Sequence, residues 1–171
     1  MKKIMMASAL TLLASAAFAH DYKLGDLVID HPVARATPVN APVSAGYMTI
    51  TNNGTEDDTL IGASVDFAGT VELHEMAMDG DVMKMRELGG GIAIPAGESV
   101  TLMPGGLHLM FMEMKQQVTE GEAFAATLEF ANAGTIEVTL EVESLTTIRE
   151  RMGSEGKDMD HSGHDHSGHN H

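Results

Sequence analysis

The stretch His74-Glu75-Met76-Ala77-Met78-Asp79-Gly80-Asp81-Val82-Met83-Lys84-Met85 lies in the middle of a 171-residue chain and reads as two strands around a tight turn. Asp-Gly is a favoured two-residue hairpin loop, because both central positions take φ > 0. With Asp79 and Gly80 as the loop, Met78 faces Asp81, Met76 faces Met83 and His74 faces Met85. Directly opposed side chains on one face have Cβ atoms roughly 4.5–5.5 Å apart, close enough to share a metal ion. A three-residue loop would shift the pairing by one and set His74 and Met85 on a diagonal.

Outward from the hairpin, Leu107-His108-Leu109-Met110-Phe111-Met112-Glu113-Met114 is apolar on both faces. Strand alternation sends Leu107, Leu109 and Phe111 to the core and lines the other face with His108, Met110, Met112 and Met114. If this strand passes beside the hairpin, two imidazoles and two thioethers converge. Imidazole is a borderline ligand and thioether a soft one, so the set, lacking a thiolate, favours Cu(I) over Zn(II) or Fe. Methionine is also a common filler of core gaps, and a lone strand histidine is more often hydrogen-bonded than metal-bound. For any one of these residues packing is the stronger reading. Their crowding around one turn and one strand shifts the balance. Met103, Met112 and Met114 are assigned to packing around the site. For Met76, Met78 and Met83, packing comes first and relay of copper second.

These residues carry a family resemblance. His74, ten intervening residues, Met85, twenty-two more, then His108-x-Met110 resembles the signature of the periplasmic PCuAC copper chaperones. The usual second gap of that family is one residue shorter, and Leu88-Gly89-Gly90-Gly91 is the easiest place for the extra one. The resemblance extends over most of the exported chain, including His31-Pro32-Val33-Ala34-Arg35-Ala36-Thr37 and Ala45-Gly46-Tyr47-Met48-Thr49-Ile50. It implies an all-β, cupredoxin-like Greek-key β-sandwich that binds one Cu(I) through His74, Met85, His108 and Met110. It also implies delivery of copper to periplasmic acceptors: the copper subunit of cytochrome c oxidase, with its dinuclear centre, and a Sco-type assembly protein.

The rest of the body reads as β. Candidate strands are 24–31, 45–51, 59–65, 70–78, 82–88, 99–102, 107–114, 123–130 and 135–142, separated by turn signals such as Asn52-Asn53-Gly54 and Pro104-Gly105-Gly106. No convincing amphipathic helix of three turns interrupts them, which argues for a sandwich or Greek-key barrel. Thr135-Ile136-Glu137-Val138-Thr139-Leu140-Glu141-Val142 alternates strictly, with Ile136, Val138, Leu140 and Val142 expected inward.

Residues 1–19 read as a Sec-type export signal: Lys2 and Lys3, an apolar run from Ile4 to Leu13, and the cleavage site Ala17-Phe18-Ala19. That run is shorter than the roughly 20 residues a membrane span needs. Cleavage leaves a soluble periplasmic chain of 152 residues starting at His20, with 8 basic and 25 acidic residues and a formal charge of −17. Such acidity argues against nucleic acid and suits attraction of cations or a basic partner. Zero cysteines exclude disulfides, lipid attachment at a cysteine, blue-copper electron transfer and thiol exchange. No phosphate loop or catalytic constellation appears, so the chain reads as a metal carrier and not an enzyme.

The expected domain spans 20–148, followed from Arg149 by a flexible tail. Its end, His161-Ser162-Gly163-His164-Asp165-His166-Ser167-Gly168-His169-Asn170-His171, has five histidines in eleven residues. Nitrogen and carboxylate donors on a polar segment that cannot bury a core favour Cu(II) most. His20, with the free terminal amine, is a lesser copper candidate, and His31 beside Pro32 is given a structural role. A copper buffer or resistance protein working through the tail is the alternative to a transfer protein.

Overall fold

The computed structural model describes residues 21–155; the expected export signal, His20 and the histidine tail lie outside them. Eleven strands and one helix follow in order: β1 (Tyr22–Leu24), β2 (Leu27–Arg35), β3 (Val43–Asn52), β4 (Asp58–Val65), β5 (Thr70–Asp79), β6 (Val82–Glu87), β7 (Ile92–Ile94), β8 (Ser99–Leu102), β9 (Leu107–Met112), β10 (Ala123–Phe130), β11 (Gly134–Glu143) and α1 (Leu145–Glu155). One continuous sheet path runs β6-β5-β9-β3-β2-β11-β10-β4-β7, with β1 added on β2 and β8 on β3. All pairings are antiparallel except β11 with β2.

Alternation supplies the core. Val138, Leu140 and Val142 are buried and Ile136 is partly so; Leu109 and Phe111 are fully buried with Leu107 at their margin. They join Ile29, Met48, Ile50, Leu60, Ile94 and Leu128 in one apolar interior. There the Phe67 ring meets Phe111 edge-on, with centroids 5.0 Å apart. The all-β expectation holds.

The structure departs from the sequence reading at several places. Strand β2 does not stop at His31. Its pairing with β3 slips by one residue between Asp30 and Val33, and His31 takes φ 45°. Pro32 has no N–H to give a ladder, and a bulge accommodates that. The extra residue flips the strand: Leu27 and Ile29 face the main core before it and Ala34 after it, while Val33 turns to the opposite side. Two short strands, β1 and β7, lie outside the expected set, and the turn at Gly25-Asp26 splits the strand expected over 24–31. Met114 does not share the face of His108, because Glu113 takes φ 54°, ends the alternation and lets Met114 pack against the main core.

Helix α1 is a further departure. Ser144 caps it, its Oγ accepting from the Thr147 amide at 3.2 Å. The helix runs through the expected domain end near Arg149. Its residues Ile148 and Met152 are buried with Val33, Ala45 and Tyr47 in a second, smaller cluster on the outer side of the sheet.

Candidate metal centre

Strand β5 is the middle of the three that matter, with β6 on one side and β9 on the other. Opposed residues of antiparallel strands share a face, so register alone places the side chains. His74 is directly opposite His108, and Glu72 is opposite Met110. On the other edge Met76 is opposite Met85, Met78 opposite Met83, and His74 opposite Glu87. His74, His108, Met110 and Met85 therefore lie on one face of one three-stranded patch.

The hairpin register corrects the expected one. The loop is Gly80-Asp81, closed by the Asp79–Val82 pair, and Gly80 takes φ 66°. Glycine at the first central position is the signature of a type II′ turn. The loop moves by one residue, which shifts every pairing by two. Met85 consequently stands across from Met76, on the diagonal from His74 rather than opposite it. A shift of two keeps every side chain on its expected face. Met110 is one step along β9 from the histidine pair, and Met85 one step the other way on β6.

The two imidazole rings have centroids 5.8 Å apart at 51°. A metal about 2.0–2.1 Å from a histidine nitrogen lies about 3 Å from the ring centre, so two rings on one ion stand up to roughly 6 Å apart. The observed spacing fits. Each ring also has one nitrogen already engaged. His108 Nδ1–H donates to the Gly106 carbonyl at 3.0 Å, the same oxygen that takes the Met76 amide. That leaves Nε2 of His108 with a free lone pair. His74 Nε2–H donates to the Glu72 carboxylate at 2.7 Å. Its Nδ1 is buried without a hydrogen-bond partner among the described residues. Such an orphaned acceptor costs about 1–3 kcal/mol, which a metal ion would recover.

Burial governs the electrostatics. His108 is 6% exposed, and desolvation pushes its pKa below the ordinary histidine value; the Gly106 bond opposes this and the nearby His74 reinforces it. The ring is held neutral and ready to ligate. The thioethers are less enclosed: Met110 is partly buried and Met85 is 48% exposed.

Residues 27–142 match the LpqE-like family, more than half of the chain. The chain belongs to that PCuAC-related family. Among relatives of this LpqE-like chain, Lxx21020 of Leifsonia xyli is 30% identical over 63% of the chain. RP573 of Rickettsia prowazekii is 30% identical over 51%. The chain spans 65% and 48% of those two proteins' lengths. Among solved structures, the copper-bound PCuAC domain from PmoF2 superposes with a TM-score of 0.63 at 27% identity, covering 73% of this chain and 98% of that domain. The apo PCuAC domain from PmoF1 gives 0.63 at 26%, covering 73% and 99%. The Cu(I) form of DR1885 from Deinococcus radiodurans gives 0.58 at 26%, covering 75% and 83%. The fold of the LpqE-like chain is thus the cupredoxin-like PCuAC fold.

Sequence reasoning missed Glu72. Its signal was present: a carboxylate two residues before a strand histidine shares its face. His31 is exposed in the β2 bulge. Among the described residues no helix is long and apolar enough to cross a membrane.

Proposed function

We propose that this protein is a periplasmic copper carrier that holds one Cu(I) through His74, Met85, His108 and Met110 and passes it to copper-accepting partners. The observation that carries the reading is the histidine pair itself. A buried ring, His108, and a partly buried one, His74, stand side by side, each with one nitrogen fixed by a hydrogen bond and the other left with a lone pair. Among the described residues no three His, Cys, Asp or Glu side chains gather as a hard-ligand metal site, while thioethers flank the pair on both sides. That donor chemistry suits monovalent copper. The copper-bound PmoF2 domain and the Cu(I) form of DR1885 share the fold. Met85 stands on the neighbouring rung, and three rotatable side-chain bonds allow its sulfur to turn toward the pair.

Carriage is the role that the openness of the site supports. The exposed edge strand β6 leaves one side of the site open to an acceptor. The cytochrome c oxidase copper subunit and a Sco-type assembly protein are the acceptors that the family resemblance suggests. An anaerobic Cu(I) competition against a chelator tests the site: His108→Ala and Met110→Leu should each weaken binding, and unchanged affinity in both rejects it.

The tail supports a second role, capture of Cu(II) by His161, His164, His166, His169 and His171. Helix α1 packs on Ala45 and Tyr47 of β3, and Ala45 is the register partner of Met110. The helix therefore lies on the sheet face that carries the histidines, and metal tethered to the same chain would raise the local copper concentration for the site. Deletion of 157–171 separates this role from a buffer in which the tail is the working part. Cu(I) binding and delivery should survive the deletion; their loss would favour the buffer.

A further inference from the structure

Strand β6 is solvent-exposed along its whole length, and the hairpin it forms with β5 ends in uncovered methionines. Met78 is 61% exposed, Met83 46% and Met85 48%. The packing role expected for Met78 and Met83 is not what they do. Apolar side chains this exposed contribute little to folding, and four of the eight large hydrophobics exposed among the described residues fall between 78 and 85. Three of those four are methionines on a single face.

Register arranges them as a ladder. Met78 is directly opposite Met83, and Met76 directly opposite Met85. Opposed Cβ atoms lie roughly 4.5–5.5 Å apart, and the diagonal from Met76 to Met83 is roughly 7–8 Å. A methionine side chain extends its sulfur well beyond Cβ and turns about three bonds. Three sulfurs can therefore meet over the middle of this hairpin. Lys84 and Arg86 alternate with these residues and belong to the opposite face, engaged with Asp79 and Glu75, so no cation stands among the thioethers.

We propose that Met76, Met78 and Met83 form a second, thioether-only site for a soft monovalent cation, outboard of the histidine pair and joined to it through Met85. Sulfur donors without nitrogen or carboxylate select Cu(I) or Ag(I) over divalent ions. The site is weaker and more open than the inner one, which suits a point of entry and exit. It shares Met85 with the reading given above, yet its own three sulfurs do not depend on that reading.

The test uses the full chain, anaerobic and labelled with 13C at the methionine methyl groups, titrated with Ag(I) and separately with Cu(I). The first equivalent should shift the Met85 and Met110 signals, and the second those of Met76, Met78 and Met83. In a Met78→Leu/Met83→Leu variant, which keeps the apolar surface but loses two sulfurs, the second phase should vanish while the first persists. Silent Met78 and Met83 methyls through three equivalents overturn the proposal. So does a second Met76 shift that survives the double substitution. Shifts at Met76, Met78 and Met83 with Met110 silent throughout uphold the hairpin site and overturn the inner one instead.

Discussion

Glu72 and the Gly106 carbonyl each engage one ring nitrogen of a histidine, at 2.7 and 3.0 Å, and so decide which nitrogen of that ring can bind metal. Groups of this kind orient a ligand and raise its basicity, and their loss typically weakens a site by 10–100-fold. Glu72→Ala should therefore lower Cu(I) affinity by about tenfold or more, and Glu72→Gln by less, because an amide oxygen still accepts from Nε2–H. Competition against a Cu(I) chelator reads both. The depressed pKa of His108 has two consequences. As pH falls, the His108 ring stays neutral to below the ordinary histidine value near 6.5, so protons should compete with copper for this ligand only at lower pH, read as Cu(I) affinity across pH. In the apo protein the unfolded chain takes up this proton more readily than the folded one. Stability should therefore fall as pH drops from about 6.5 to the lower folded pKa, then level off. Thermal melts across that window should show a shallower slope for His108→Leu. The two histidines and Met110 were legible from spacing, since residues two apart share a strand face. The face of Glu72 was legible in the same way, but its bond to His74 and the choice of ring nitrogen were not, because both rest on where a side chain turns within that face.

The hairpin shows how far strand alternation can be trusted. Asp-Gly fits a type I′ loop over 79–80, but the chain folds with Gly80 first in a type II′ loop over 80–81. The face of each residue survived this difference while its partner did not, because the period is two and the shift was two. An alanine at 80 meets no neighbour within 4 Å, so only its backbone is strained. The left-handed conformation costs a non-glycine residue about 1–2 kcal/mol. Gly80→Ala should thus speed amide exchange in β5 and β6 near the loop by roughly 5–30-fold and leave the β2–β3 ladder unchanged. Helix α1 was illegible for a related reason. Thr146, Thr147 and Ile148 are β-branched, poor helix formers, and the docking of Ile148 and Met152 on the sheet outweighs that preference. Ile148 is 1% exposed, so Ile148→Ala should destabilise the fold by about 2–4 kcal/mol, read as a lower urea midpoint.

At the scale of the whole molecule, one apolar core built from the sheet path holds β5 and β9 together before any metal arrives. Leu73, Leu109 and Phe111 anchor one face of those strands, and the histidines occupy the other. The site is thus a by-product of alternation: every buried leucine fixes the neighbour that must point outward. Helix α1 packs on the adjoining part of that outer face, and exposure rises from the buried His108 toward the hairpin tip. Copper-soaked crystals of the full chain, measured at the copper edge, test the central claim most directly. The anomalous peak is predicted between Nδ1 of His74 and Nε2 of His108, with the sulfurs of Met110 and Met85 turned toward it. A peak elsewhere, with those two nitrogens uncoordinated, would contradict it.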